Sequence, residues 1–329
     1  MIDFRYHLVS IIAVFLALAV GLAVGSTALS GKAEEALTAA QHRALADNNS
    51  LRKDDKLLQE EVAADQAVAT ANSKTILDGL LANERVVLIA APGADNAELS
   101  GLSTALRQAD ALITGEVQLN NSFTTTSGQT EDALSALAHS LAAQAGLALA
   151  QDPANQVVAG QQAAGQVLAD SLVSSSGTET SSSSQNILNG FSEAGYITVV
   201  SGAPAAQPAE LAILVTPGGP PPQSSSQVLV AFVQDLKAAG GATVMAGALS
   251  SIGTGSAISA EDSAGPVVST VDDADTESGQ ILVVDALWEA LHGKAPKPYG
   301  AVSGTAVSPA PTAAPTPRPS TSPTVSSHS

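Results

Sequence analysis

From Leu8 to Leu29 the chain carries no charged residue, and this run follows a polar head, Asp3-Phe4-Arg5-Tyr6-His7. A helix rises about 1.5 Å per residue, so about 20 apolar residues cross the hydrocarbon core of a bilayer. The run is long enough to do so. It predicts a transmembrane helix over residues 8–29, with residues 1–7 as a cytoplasmic head. A secretory signal has a shorter apolar region of about 7 to 15 residues, so length favours an uncleaved anchor. Ser26-Thr27-Ala28 nevertheless has the small side chains of a cleavage site, and cleavage stays open on sequence alone. Charge sets no orientation, because Arg5 and the α-amino group on one side face Lys32 and Arg43 on the other. One N-terminal span before a large remainder predicts a single-pass protein of the cell membrane whose C-terminal domain is extracytoplasmic.

Within the anchor, Ala13, Ala17, Gly21 and Gly25 recur every four residues and form a smooth stripe. Small residues at that spacing let two helix backbones approach closely, although Ala and Gly are common in such spans. Residues 32–83 are rich in Ala, Glu, Gln, Leu and Lys and read as a helical, coiled-coil-like stalk. Leu37, Ala44, Leu51 and Leu58 fall seven apart, one edge of a heptad seam; the partner edge, Gln41, Asn48, Asp55 and Val62, is mostly polar. A single solvated helix packing back on the globular domain is the alternative. Helical throughout, fifty residues extend about 75 Å.

Past Arg85 the pattern changes. Val86-Val87-Leu88-Ile89-Ala90 is a short apolar strand, followed by Pro92-Gly93 and by Asp95 as the N-cap of a helix reaching Gln108. Leu211 to Val215, a Pro/Gly/Ser loop over Pro217 to Ser226 and a helix from Gln227 to Ala239 repeat the scheme. Ala242 to Ala246, Val267 to Val271 and Tyr196 to Val200 supply further strands. Helices over Glu131 to Ala150, Asn155 to Val173 and Glu277 to Leu291 fill the intervals. Strands without alternation are buried on both faces, as in a parallel sheet. The fold class expected is therefore α/β: a doubly wound, mostly parallel sheet over residues 84–300, behind the transmembrane helix and stalk. A Ser-rich loop at Ser174 to Ser184 and a disordered Pro/Ser/Thr-rich tail over residues 301–329 complete the chain. None of the strands alternates over about ten residues as lipid-facing barrel strands do.

The head Asp3-Phe4-Arg5-Tyr6-His7-Leu8-Val9-Ser10, running into Ala13-Val14-Phe15-Leu16-Ala17-Leu18-Ala19-Val20-Gly21, resembles that of the actinobacterial MctB family, the mycobacterial copper transport protein B family. The resemblance continues through Val86-Val87-Leu88-Ile89 and Val271-Asp272-Asp273 and ends near Tyr299-Gly300, so it covers all but the tail. It implies a role in copper efflux or homeostasis at the cell envelope, including its outer layer. Family members are also linked to cell separation.

The residues themselves offer copper little. Copper(I) prefers thiolate and thioether ligands and copper(II) takes imidazole. The chain has no cysteine, its only methionines are Met1 and Met245, and His7, His42, His139, His292 and His328 are scattered singly. No cofactor is evident, and copper is implied by the resemblance alone. Absence of cysteine also excludes disulfides and cysteine nucleophiles. A net charge of −18 repels phosphate backbones and argues against nucleic acid as a partner. Aromatics are 3% of residues, so the core is one of Ala, Val, Leu and Ile.

Three places invite a functional reading. Asp3 and His7 share a helix face beside Arg5 and Tyr6; residues of this kind usually anchor a helix at the membrane boundary, and the resemblance adds a partner-recognition or ion-handling role. Asp272, Asp273 and Asp275 follow a strand, the end where open α/β sheets bind ligands, and such carboxylates suit Mg²⁺ or Ca²⁺ better than copper(I). The competing reading there is a solvated turn, with Asp275 or Thr276 capping the next helix. Gly253-Thr254-Gly255 is a fragment of a dinucleotide loop, and no phosphate loop, nucleophile elbow or paired-histidine motif occurs. The chain therefore reads as a non-enzyme, a membrane protein acting as a homo-oligomer or with an envelope partner. A copper transporter, an envelope scaffold for cell separation or wall maintenance, and a degenerate ligand-binding domain around Asp272 all remain open.

Overall fold

The computed structural model describes residues 4–149, 159–174, 182–202, 208–219, 222–263 and 265–302, without the side chains of residues 4–5, 26–36 and 159. Asp3, the side chain of Arg5 and the tail from residue 303 lie outside the described residues. The chain divides into two compact units, Met1–Asp65 and Gln66–Ser329.

The first unit is made of helix α1 (Phe4–Leu77), whose last turns belong to the second unit. No proline occurs before Pro92, and the helix continues without interruption through Gly31-Lys32. Its segment Tyr6–Gly25 has a mean hydropathy of 2.7 and is long and apolar enough to cross a membrane. The helix ends at Leu77, and Gly79 then takes a left-handed conformation at φ 73° that L-residues adopt at a cost.

The second unit is a seven-stranded sheet in the order β3-β2-β1-β4-β5-β6-β7. Its strands are β1 (Arg85–Ala90), β2 (Leu112–Leu119), β3 (Ile197–Gly202), β4 (Leu211–Val215), β5 (Ala242–Ala246), β6 (Ser269–Val271) and β7 (Pro298–Tyr299). All neighbours pair in parallel except β2 and β3. The helices are α2 (Asn96–Gln108), α3 (Asn121–Thr124), α4 (Gly128–Ala145), α5 (Ala159–Leu172), α6 (Ser182–Glu193), α7 (Gln223–Ala238), α8 (Ala257–Ser263) and α9 (Glu277–Leu291). The α/β class with an N-terminal apolar helix and a mostly parallel sheet is as the sequence predicts.

The unbroken apolar strands explain the two-sided cover. Val87 and Ile89 of β1, Ala212 and Leu214 of β4 and Met245 of β5 point to a core shared with α4, α5, α6 and α7. Their neighbours Val86, Leu88, Ala90, Leu211, Ile213, Val215, Val244 and Ala246 point to the other core, which α2, α9 and Leu77 at the end of α1 complete. On the first side Phe123 and Phe232 meet edge to face at 5.6 Å, a favoured aromatic geometry.

Some expectations are corrected. The Tyr196 to Val200 strand exists as β3, but it is an antiparallel edge strand with only Ile197 buried, not a buried parallel one. Strand β2 has no apolar run to announce it, because Gly115, Glu116 and Gln118 interrupt it; pairing with the buried β1 and with the edge strand β3 holds it in place. The Pro217 to Ser226 loop is shorter than expected, since α7 begins at Gln223 and buries Ser226, whose hydroxyl donates to the Gly255 carbonyl at 2.6 Å. Ser182 likewise already begins α6.

Candidate functional site

The strand order reverses between β1 and β4, and open α/β sheets place ligands outside the carboxyl ends of the strands at such a point. Here the two loops that flank the crevice bond to one another. The Ala91 amide donates to Val215 O at 2.8 Å, and the Gly218 amide donates to Gly93 O at 3.3 Å. The Gln118 side-chain amide donates to the Ala90 and Ala91 carbonyls from the β2 side. Gly93, at φ 87°, lets the first loop turn against Pro217 of the second. Among the described residues the two loops at the switch point are thus bridged by backbone hydrogen bonds.

The acidic residues after β6 divide by environment. Asp272 is 2% exposed, and its carboxylate accepts from the amides of Ala301 at 2.6 Å and Val302 at 3.2 Å. Burial pushes its pKa above the ordinary range against the pull of those two amides. Asp273 turns the chain: its carbonyl accepts from the Thr276 amide and hydroxyl, both at 2.9 Å. Its Oδ1 is buried without a partner among the described residues. Burial first, then the charges of Asp272 and Asp275, lift its pKa to about 6. Asp275 is exposed, and Thr276 is the N-cap of α9, its hydroxyl accepting from Gly279 N at 3.0 Å.

Sequence reasoning missed the most unusual member of this cluster. Asp95 caps α2, accepting from Ala97 N at 2.7 Å, and Glu98 stands three residues on, where a capping box would turn it back to the cap amide. Glu98 is instead 2% exposed, and neither carboxyl oxygen finds a partner among the described residues. Burial, followed by the charges of Asp275 and Asp95, pushes its pKa to about 8. The shift favours the protonated, uncharged form of Glu98 near neutral pH. Gln280 of α9 fits against Gly101 of α2, where a Cβ would collide with its amide. From the last turns of α1, Gln66 accepts from the Glu277 amide at 2.9 Å and closes the α9 end of the cluster. Asp95-x-x-Glu98 was the readable signal, but it announces a cap and not a buried acid.

At the opposite ends of the strands an open groove of about 360 Å³ is lined by Glu84, Glu210, Lys237, Gly240, Ala242, Ala290 and Leu291. Glu84 is raised by burial, then by a hydrogen bond and by charge repulsion from Glu210. Arg85 pairs with Glu210 at 2.8 Å.

Tyr6 and His7 are exposed on α1, as are Ala13, Ala17, Gly21 and Gly25, and Leu37, Ala44, Leu51 and Leu58. Met245 is fully buried in the sheet, and His42 and His139 are exposed. His292 is the C-cap of α9, where its ring lies 4.1 Å from that of Trp288 and its Nδ1 is 2.7 Å from the Trp288 carbonyl. Among the described residues no group of three or more His, Cys, Asp or Glu is placed to hold a metal ion.

A family model described as "Copper transport outer membrane protein, MctB" matches residues 1–311, past the Tyr299-Gly300 pair. The Copper transporter MctB of Mycobacterium tuberculosis (strain ATCC 25618 / H37Rv) and its counterpart in Mycobacterium bovis are each 29% identical to this chain over 320 residues. The alignment spans 92% of this chain and 98% of each relative. The described strands form an open sheet with helices on both faces, and the segment Tyr6–Gly25 of α1, long and apolar enough to cross a membrane, fits the family description. With a match running from its polar head through the last strand of its sheet, the chain belongs to the MctB family.

Proposed function

We propose that this protein serves copper efflux or homeostasis in the cell envelope as a single-pass, non-catalytic membrane protein, with its α/β domain outside the cytoplasm. The observation that carries the reading is the family match over residues 1–311, with the apolar segment Tyr6–Gly25 inside it. One helix encloses no pore, so passage of an ion requires several chains or a partner. The ligand inventory supports the same division of labour. Copper(I) favours sulfur, and the described sulfur is the buried Met245. Copper is then cargo of an assembly and not of a site within one chain.

A second reading, an envelope scaffold for cell separation or wall maintenance, is favoured by the bonded loops at the switch point, which leave the α/β domain its outer surfaces to work with. Copper content and growth of a deletion strain across a copper series distinguish the two. The strain is complemented with intact protein and with a chain truncated after Gly31. Copper accumulation corrected only by the intact protein supports the copper role. Normal copper content with failed septation refutes it in favour of the scaffold.

A further inference from the structure

Helix α1 presents two apolar features to its surroundings, and their angular relation is fixed because the helix is unbroken from Phe4 to Leu77. Leu37, Leu51, Leu58 and Val62 are each more than half exposed, a costly state for large apolar side chains. In the heptad frame that puts Leu37, Ala44, Leu51 and Leu58 at position d, position a holds Gln41, Asn48, Asp55 and Val62. Leucine at d favours a parallel two-stranded pairing and a buried Asn48 at a fixes its register, while Gln41 and Asp55 weaken the seam and Val62 alone gives position a a β-branched residue. Asp47 then occupies position g and Arg52 position e of the next heptad, the two positions that face each other across a parallel pair. Ala40 and Leu45 occupy the same two positions one heptad earlier and add an apolar contact.

At about 100° per residue, the Leu37-Gln41 seam lies about 140° around the helix from Gly25, the last residue of the small-residue stripe. A copy docked along the seam therefore leaves the stripe facing elsewhere. Resting on the oligomer reading above, we propose that the occupant of the stalk seam is a second copy of this chain. It lies parallel and in register, with Asp47 of each copy opposite Arg52 of the other, and the stripe of the membrane span stays outside that pair. Asp55 is the weak layer, because it sets two carboxylates against each other.

The chain has no cysteine, so a single introduced thiol reports its own neighbourhood. The full-length protein is treated in its membrane with a short bismaleimide, in variants Leu51→Cys, Leu58→Cys and, on the outer face of the same turn, Lys53→Cys. The seam positions are expected to give at least fivefold more dimer than Lys53→Cys; equal yields overturn the proposal. In the Leu51→Cys background, Asp47→Arg and Arg52→Asp each lower the yield and the double reversal restores it; a double reversal that restores nothing overturns the parallel register. Gly21→Cys combined with Leu51→Cys gives either no added product or species larger than a dimer. A second crosslink within the same dimer, with Gly21→Cys alone crosslinking as well as Leu51→Cys, refutes the separation of the faces. Crosslinking is read without reference to copper. A seam that fails while complementation succeeds leaves the copper role standing, and the converse removes only the copper role.

Discussion

Replacing Glu98 by Gln tests the buried acid directly. The side chain is 2% exposed with both oxygens lacking partners among the described residues, and its pKa rises from the ordinary 4.5 to about 8. An acid raised in the folded state holds its proton there after the unfolded chain has released it. The folded state is therefore favoured below the unfolded pKa, and that advantage is lost as pH rises through about 8. The size of the shift sets an upper bound on the order of 5 kcal/mol, at about 1.4 kcal/mol per pH unit. At pH 5 the native acid and the Gln variant are both uncharged and should be nearly equal in stability. By pH 9 the variant should be more stable by several kcal/mol. Urea unfolding of the full chain in lipid nanodiscs measures this, followed by the fluorescence of Trp288, the only tryptophan and a half-buried residue of α9. Asp235, also raised to about 8 by burial and then by Asp170, is present in both proteins and cancels in the comparison. A stability difference that stays flat from pH 5 to pH 9 refutes the assignment of a buried neutral acid.

Two further outcomes follow from the contacts around the last strands. Tyr299→Phe removes a hydroxyl that donates to Glu289 at 2.6 Å, and should cost about 1.5–3 kcal/mol in the same urea titration, the range for a bond to a charged acceptor. Gly279→Ala drives a methyl into the Asp273 carbonyl at the start of α9, and should cost about 1–3 kcal/mol and expose Trp288, seen as a red-shifted emission maximum.

The parts of this fold that were readable are those where one local signal suffices. Strands β1, β4 and β5 are short runs dominated by apolar residues without alternation, and a run of that kind has few homes besides the middle of a parallel sheet. Asp95, and the pair Asp275 and Thr276 between which the sequence left the choice, announced helix starts that the structure contains, with Thr276 as the second cap, because a short polar side chain before an apolar helix has a definite backbone amide to meet. Strand β2 was hidden because its glycine and polar residues break the run, and its place depends on β1 and β3. β7, two residues long, carries no sequence pattern of its own. Glu98 was hidden for a different reason. An acid in the first turn of a helix is ordinarily solvated, and this one is buried only because α9 packs against α2. Asp272, Asp273 and Asp275 were found as a group, yet their neighbourhood separates them into a backbone clasp, a turn with a raised acid and an exposed charge.

The clasp at Asp272 has a mechanical consequence. Tension arriving along the chain from beyond residue 302 would first load the Val302 and Ala301 amides, both held by one buried carboxylate. Behind them stand the short pairing of β7 with β6 and the Tyr299–Glu289 bond. The grip rests on the end of β6, inside the sheet, so a tail anchored elsewhere would strain the strand edge before it could peel α9 from the core. Under such a load Asp272 would act as a strain relief, much as a cable is clamped where it enters its housing.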